Sequence, residues 1–167
     1  VERTINGEIE DNVIIKGPVN IGKDAVIRGG SYIQGPVMIG EGCEIGPNSC
    51  ILPSSSIGHD SCISPFTLVR NSIIMKGVEI GSNSNIENSL IANGVKIGNN
   101  FSTHFGRTDK KTVDGLQQVD DIGAMIAEDS VLGSGVVTEP GIIVGASCDV
   151  KSGLTLSDDI PSNSKVV

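Results

Sequence analysis

The sequence predicts an all-β protein, a single-stranded left-handed parallel β-helix built from six-residue repeats, with one extruded loop. Aliphatic residues recur at every sixth position through the first third of the chain. Of the 167 residues, 22 are glycine and only four are aromatic, namely Tyr32, Phe66, Phe101 and Phe105. Layered α/β and sandwich cores rely on aromatic bulk. The interior here must therefore be filled by Ile, Val and small side chains.

The six-residue repeat is read directly from the chain. Its aliphatic positions are Ile9, Ile15, Ile21, Ile27, Ile33, Ile39, Ile45, Ile51, Ile57 and Ile63. Four residues after most of them comes a small or β-branched residue, such as Val13, Val19, Ala25, Ser31, Val37, Cys43, Ser49 or Ser61. Three repeats make eighteen residues, and at that spacing Ile15-Lys16-Gly17-Pro18-Val19 returns as Ile33-Gln34-Gly35-Pro36-Val37.

A period of six fits neither the 3.6-residue helix nor simple strand alternation. It fits three short strands per coil, joined by tight turns, with one aliphatic side chain pointing inward on each side. Stacked coils pair in parallel about 4.8 Å apart, so equivalent side chains form interior ladders. Glycine suits the turns that need positive φ, and asparagine is expected there at Asn6, Asn12, Asn48 and Asn93.

The period shortens by one residue twice, between Val69 and Ile74 and between Ile86 and Ile91. The two places have matching text, Asn71-Ser72-Ile73-Ile74 and Asn88-Ser89-Leu90-Ile91. We therefore expect coils that are one residue shorter on one side, repeated in the same way.

The ladder fails from about Thr103 to Asp121 and then resumes. It continues at Ile126, Leu132, Thr138, Val144, Val150 and Leu156. We predict coils over residues 1–103, an extruded loop over 104–121 and further coils over 122–167, forming one domain excised from a longer chain. Insertions in solenoids project as loops, and such loops commonly carry function.

Composition excludes several functions. The net charge of −8 argues against a nucleic-acid surface, which needs clustered Lys and Arg. The four cysteines, Cys43, Cys50, Cys62 and Cys148, have the spacing of neither a zinc site nor a disulfide framework. We interpret them as small repeat residues in a reducing compartment and expect a cytoplasmic protein that binds no metal. No apolar stretch has transmembrane length, so no membrane partner is expected.

Several segments resemble a known family. They are Gly7-Glu8-Ile9, Ile15-Lys16-Gly17-Pro18-Val19, Ile45-Gly46-Pro47-Asn48, Arg70-Asn71-Ser72-Ile73-Ile74-Met75 and Ile122-Gly123-Ala124-Met125-Ile126. Together they are similar to the C-terminal β-helix of archaeal bifunctional sugar-1-phosphate nucleotidylyltransferase/acetyltransferases. The resemblance implies a homotrimer that transfers acetyl from acetyl-CoA to an amino-sugar 1-phosphate. It also implies an N-terminal nucleotidyltransferase domain, which this chain lacks.

The site residues of the family can be placed on this sequence one by one, and only some of them match. The position of the family's catalytic His is Ser82, that of its nearby Tyr is Asn85, and that of its loop Asn is Phe105. The loop residues Arg107, Asp109, Lys111 and Thr112 match the family. The basic run that precedes the family's Gly-Ala is replaced here by Val119-Asp120-Asp121.

Acyl transfer needs a base near the acceptor and positive charge against phosphate. His104, at the start of the loop, is the candidate base, whereas His59 follows Ile57-Gly58 at an outward turn. The alternative for both histidines is an exposed surface residue. Sugar phosphate is assigned to Arg107 and Lys111, with Ser82 and Asn85 as further substrate contacts, and CoA phosphate to Lys110. Arg70 is a weaker anion candidate.

Outward-facing apolar residues support the trimer. They are Ile14, Met38, Ile73, Met75 and Ile143, more than a solvated side needs. Two hypotheses stay open: an acetyl-CoA-dependent acyltransferase acting on a sugar phosphate, and a degenerate β-helix that trimerises or regulates an attached nucleotidyltransferase. A metal-dependent hydratase would need three convergent histidines, and the chain has two.

Overall fold

A computed structural model describes residues 3–167, the side chain of Thr112 excepted. Over these residues the chain forms three parallel sheets of eight, nine and eight strands and one two-stranded antiparallel sheet, without a helix. The three parallel sheets are the sides of a β-solenoid of about nine coils, as expected for the left-handed β-helix of hexapeptide repeats. The predicted fold class is confirmed.

We call the three sides face A, face B and face C. Face A consists of β1 (Thr4–Ile5), β4 (Val19–Ile21), β7 (Val37–Ile39), β10 (Ser55–Ile57), β13 (Ile73–Ile74), β16 (Leu90–Ile91), β21 (Met125–Ile126) and β24 (Ile143–Val144). Face B consists of β2 (Glu8–Ile9), β5 (Val26–Ile27), β8 (Glu44–Ile45), β11 (Cys62–Ile63), β14 (Glu79–Ile80), β17 (Lys96–Ile97), β22 (Val131–Leu132), β25 (Asp149–Val150) and β27 (Lys165–Val166).

Face C carries the remaining parallel strands. They are β3 (Ile14–Lys16), β6 (Tyr32–Gln34), β9 (Cys50–Ile51), β12 (Leu68–Arg70), β15 (Asn85–Glu87), β18 (Ser102–Thr103), β23 (Val137–Thr138) and β26 (Thr155–Leu156). The antiparallel sheet is a hairpin of β19 (Gly106–Thr112) and β20 (Gly115–Ile122), inserted between face C and face A. We call it the hairpin.

The aliphatic positions of the repeat form the core. Ile21, Ile39 and Ile57 stack on face A in register and are almost completely buried. Equivalent columns run inside faces B and C, and they continue beyond the hairpin through Leu132 and Val144. Because a bore lined by three such columns is narrow, it accommodates Ile and Val and a single buried aromatic ring, that of Phe101, among the described residues.

The shortened coils are confirmed by the strand register. Ile39 pairs with Ile57 eighteen residues later, whereas Ile57 pairs with Ile74 and Ile74 with Ile91 at seventeen. The missing residue lies at the corner between face C and face A, where Asn71 and its equivalent follow the strand directly. The Nδ2 of Asn71 donates to Oδ1 of Asn88 at 2.8 Å, so the two short corners stack on each other.

Two of the four asparagines that were expected at turns with positive φ have that conformation. Asn12 and Asn48 have φ of 62° and 55°, as expected. The prediction was wrong for Asn6 and Asn93, which are not among the residues with positive φ. Asn93 instead accepts a hydrogen bond from the Lys76 N–H at 3.1 Å through its Oδ1. Asparagine therefore serves these corners in two ways, by its backbone conformation and by a side-chain acceptor.

The cysteines occupy two environments, and all four are free thiols. Cys43 and Cys148 are buried in the small interior positions, whereas Cys50 and Cys62 lie on outward rows. Burial, followed by the neighbouring carboxylates Glu44 and Glu79, raises the pKa of the Cys62 thiol. A thiol held protonated in this way is a poor nucleophile at neutral pH.

No helix in residues 3–167 is long and apolar enough to cross a membrane.

Candidate functional site

The candidate site lies at the corner where face C turns into face A, which we call the C–A corner. In two successive coils this corner is a short turn, Asn71-Ser72 and then Asn88-Ser89. In the following coil the hairpin leaves from the same place, after β18, and returns to β21. Thr103 still belongs to the interior ladder, because it is buried and pairs with Thr138. The insertion therefore leaves the coils on either side in register.

The hairpin is tightly turned, and its register shifts by one residue between Gly106 and Thr108. Asp109 pairs with Gln118 and Lys111 with Leu116, and a two-residue turn at Val113 and Asp114 joins the strands. Gly115 has φ of 111°, a conformation that side-chain-bearing residues rarely adopt. Val113 and Leu116 are strongly exposed at the tip. The predicted extruded loop is thus an ordered β-structure rather than an irregular segment.

One side of the hairpin packs on the coil that follows it. A Cβ on Gly141 would lie 2.5 Å from Cγ2 of Thr108 and 3.0 Å from Cε of Lys110, so only glycine fits at this contact. The Nζ of Lys110 lies 2.7 Å from Oδ1 of Asp159, and the lysine side chain is only 20% exposed. The same Asp159 oxygen accepts the Ile143 N–H at 2.9 Å. Lys110, predicted to bind CoA phosphate, already has a carboxylate partner.

Arg107 is also paired within the hairpin. Its guanidinium donates to Oε1 of Gln118, and its Nε lies 3.5 Å from Oδ1 of Asp120. Both ionic partners are well exposed, so solvent screens the pair and a bound phosphate can compete with Asp120 for it. Lys111 is exposed on the same strand. Among the loop cations, Arg107 and Lys111 are therefore the more available ones.

The base of the hairpin contains the candidate base His104. Its backbone N–H donates to the Thr138 carbonyl at 2.8 Å, and its side chain is exposed. Beside it, the Arg70 guanidinium forms an ion pair with Glu87 and lies 5.4 Å from the ring centroid of Phe105. The Arg70 prediction therefore changes, because this cation is held by Glu87 rather than free.

Asn85 shares face C with this cluster. Its Nδ2 donates to Oε1 of Glu87 at 3.0 Å. Its Oδ1 is buried and has no hydrogen-bond partner among the described residues. A buried carbonyl oxygen without a donor is costly, and this cost makes Asn85 an unusual position on face C.

Ser82 and His59 lie at the other two corners. Ser82 is in the turn between faces B and C, where its N–H donates to Oδ1 of Asn99 at 2.8 Å. Asn83, Ser84 and the three residues of β15 separate it from the C–A corner, and the strand alone spans about 10 Å. Nδ1 of His59 accepts the Glu41 N–H at 3.0 Å in the turn between faces A and B, which is the role of an ordinary turn residue.

A groove of about 450 Å³ runs under β20, between the hairpin and face A. Its floor is apolar, formed by Ile73, Leu90 and Met125, and its rim carries Asp120 and Asp121. The negative rim repels phosphate. Any anionic group is therefore better placed on the β19 side of the hairpin, which carries Arg107 and Lys111.

Among residues 3–167, no group of three His, Cys, Asp or Glu side chains could hold a metal ion.

Sequence reasoning missed three carboxylates that organise the corner, Glu87, Asp120 and Asp159. Glu87 was accessible from the sequence, because it stands seventeen residues after Arg70, one short coil away. Asp120 and Asp159 were not, because their partners depend on the pairing of the hairpin strands and on the side of the solenoid against which the hairpin folds.

Comparison with known families agrees with the fold. Residues 33–106 match the GMPPB C-terminal domain, and residues 124–158 match the hexapeptide repeat of succinyl-transferase. The solved UDP-N-acetylglucosamine acyltransferase from Campylobacter jejuni superposes with a TM-score of 0.61 at 17% identity, covering 92% of this chain and 68% of that chain. At that identity the likeness shows the fold alone.

Curated relatives extend the comparison. The Bifunctional protein GlmU of Methanocaldococcus jannaschii is 31% identical over 172 residues, 99% of this chain and 42% of that protein. The Bifunctional sugar-1-phosphate nucleotidylyltransferase/acetyltransferase of Sulfurisphaera tokodaii is 38% identical over 74 residues, 44% of this chain and 18% of that protein. The chain thus spans less than half the length of these relatives. The resemblance found in the sequence is confirmed: the chain is a β-helix of hexapeptide repeats, similar along nearly its whole length to part of the Bifunctional protein GlmU and over 74 residues to part of the Bifunctional sugar-1-phosphate nucleotidylyltransferase/acetyltransferase.

Proposed function

We propose that this β-helix transfers acetyl from acetyl-CoA to the amino group of an amino-sugar 1-phosphate, within a cytoplasmic nucleotidylyltransferase of nucleotide-sugar synthesis. The observation that carries the proposal is the hairpin at the C–A corner, which sets an exposed imidazole at its base and two exposed cations along β19. The names of the relatives and the acyltransferase fold support the same chemistry.

The residues have distinct roles in this proposal. His104 takes a proton from the acceptor amine as its nitrogen attacks the thioester carbonyl. The C–N bond forms, the C–S bond breaks, and the proton passes to the departing CoA sulfur. Arg107 and Lys111 hold the sugar phosphate, and the Asn85 side chain is a further substrate contact on face C. Ser82, at the other end of face C, contacts a more distant part of the substrate.

We infer that the site is completed by a neighbouring copy in a homotrimer. Face A carries an outward column that, apart from Ser56, is apolar from Met38 onward: Met38, Ile73, Leu90, Met125 and Ile143. Met38 and Ile73 are 52% and 51% exposed, although both are large apolar residues. Face B has mainly charged residues in the same positions, such as Glu44, Glu79 and Lys96. One apolar side beside a charged side indicates a protein contact at face A.

Replacing Leu90 by lysine tests this contact. A charge in the middle of the apolar column would be buried without a partner, so we expect the trimer to dissociate. The matched control is Val131→Lys, which places the same charge at an outward position of face B that is also exposed. Sedimentation equilibrium should give monomer for Leu90→Lys and trimer for Val131→Lys. A wild-type monomer, or a Leu90→Lys trimer, would remove face A as the interface.

The proposed reaction is tested by release of free thiol from acetyl-CoA. Glucosamine 1-phosphate and galactosamine 1-phosphate serve as acceptors, and the unphosphorylated amino sugars serve as controls. Turnover that requires both the amine and the phosphate supports the proposal. Absence of turnover together with absence of CoA binding by calorimetry would refute it.

The second candidate function is a β-helix that trimerises or regulates an attached nucleotidyltransferase without catalysis. The ion pairs of Lys110 with Asp159 and Arg107 with Asp120 favour it, because they neutralise cations that a phosphate site needs. Ser82, at the position where the resemblance implies the family's catalytic His, favours it as well. A trimer that neither binds nor consumes acetyl-CoA would establish this alternative.

A further inference from the structure

Three side chains connect two coils to the base of the hairpin. Arg70 ends β12 and Glu87 ends β15, and the two residues are direct neighbours in the parallel register. They form an ion pair across the coils, and the same guanidinium faces the ring of Phe105 at 5.4 Å. Phe105 is the residue that joins His104 to the first strand of the hairpin.

The Glu87 end of this chain of contacts is firmly held. Its side chain is only 14% exposed, and Oε1 also accepts Nδ2 of Asn85 at 3.0 Å. Its backbone N–H donates to Oγ1 of the buried Thr103 at 2.8 Å. Glu87 is therefore fixed by the solenoid and by the residue that precedes His104. A carboxylate bound in this way gives the Arg70 guanidinium a defined position.

Phe105, at the other end of these contacts, is the residue whose movement Arg70 would restrict. Phe105 is 38% exposed, stands two residues after Thr103 of the interior ladder and lies outside the parallel sheet. A cation placed over an aromatic ring restrains that ring, and partial burial strengthens the attraction. Because Phe105 adjoins His104 in the chain, a restraint on the ring also limits where the imidazole can lie.

We propose that Arg70 and Glu87 are positioning residues: by clamping Phe105 they fix the base of the hairpin and thereby the orientation of His104. Arg70 then acts through Phe105 and not by binding the substrate phosphate. The kinetic consequence rests on the proposed acetyl transfer, whereas the structural consequence does not depend on it.

The test combines hydrogen exchange with kinetics on the whole chain. Arg70→Met keeps the aliphatic stem and removes the cation, and Phe105→Leu removes the ring. Each substitution should accelerate amide exchange within residues 106–122 by about 3- to 10-fold. The double variant should exchange little faster than the faster single one, because both remove the same contact. The amides of β12 and β15 should keep their wild-type exchange, which separates loosening of the hairpin from loss of the fold.

A second cation–aromatic pair provides the matched control. Lys16 lies 5.6 Å from the ring centroid of Tyr32, on face C but far from the hairpin. Lys16→Met and Tyr32→Leu should leave the exchange of residues 106–122 unchanged. Glu87→Gln, which keeps the shape but not the charge, should loosen the hairpin as Arg70→Met does.

The kinetic arm distinguishes positioning from substrate binding. We expect kcat of thiol release to fall about 3- to 10-fold in Arg70→Met, with KM for the sugar phosphate within about twofold of wild type. Unchanged hairpin exchange in both single variants would overturn the proposal. A raised KM for the sugar phosphate with unchanged exchange would do so as well, and would assign Arg70 to the phosphate. If the chain releases no thiol, the proposed function fails while the exchange result still decides the clamp.

Discussion

Ile86→Ala is expected to lower the free energy of unfolding by about 2–5 kcal/mol. Ile86 is completely buried in face C, directly over Val69 in the parallel register. Backbone hydrogen bonds between neighbouring coils fix the spacing of those coils, as does the bond from the Leu68 N–H to the Ser84 carbonyl at 2.9 Å. The cavity left by the missing atoms therefore cannot collapse. The destabilisation combines the lost free energy of transfer of the buried atoms with the cost of the cavity. Urea or guanidinium unfolding measures the loss.

The control for the core is Ile14→Ala. Ile14 lies on the same face but points outward and is 51% exposed. Its truncation should change the unfolding free energy by no more than about 0.5 kcal/mol. If the two substitutions had equal effects, the inward and outward assignment of the repeat positions would be wrong.

His104→Ala is expected to reduce kcat of the proposed acetyl transfer by about 10²- to 10⁴-fold, the usual contribution of a general base. The imidazole is exposed, and the backbone at this position is held by the Thr138 carbonyl. Removal of the ring should therefore leave the unfolding transition almost unchanged. Initial rates of thiol release at saturating acetyl-CoA, measured beside thermal unfolding, check both expectations.

The matched control is the second histidine. His59→Asn keeps a side-chain acceptor for the Glu41 N–H, in the way that Asn93 serves Lys76, and should retain wild-type kcat. Turnover that survives His104→Ala would show that another group takes the proton, without removing the acyl-transfer proposal.

The fold was predictable because every coil repeats the same physical requirement. Ile21, Ile39 and Ile57 each fill the same inward position of successive coils. The interval between these residues in the sequence is therefore the number of residues in one coil. The two shortened corners were predictable for the same reason. The turn at Asn93 was not, because a corner can be satisfied either by positive φ or by a side-chain acceptor, and composition does not distinguish these solutions.

The position of the hairpin was predictable from the sequence, whereas the contacts of its side chains were not. The break in the repeat placed it near His104 and the segment that follows. Which cations stay available depends on pairing across the hairpin and against the next coil, as in Arg107 with Asp120 and Lys110 with Asp159. These partners stand 13 and 49 residues away in the chain. No periodic pattern connects them, because the hairpin does not follow the repeat.

Deletion of residues 105–122 would show whether the solenoid folds without the hairpin and whether the proposed chemistry depends on the hairpin. Ile91 pairs with Ile126 across thirty-five residues, so the deletion of eighteen leaves a seventeen-residue coil like its two predecessors. His104 would then be followed by Gly123, as Glu87 is followed by Asn88. We predict that this variant unfolds cooperatively like the wild type and that kcat/KM for the sugar phosphate in thiol release falls at least about 100-fold. His104 is retained, so the loss reflects the removal of Arg107 and Lys111, since each hydrogen bond to a charged group contributes about 1.5–3 kcal/mol. A folded variant with wild-type turnover would contradict the account.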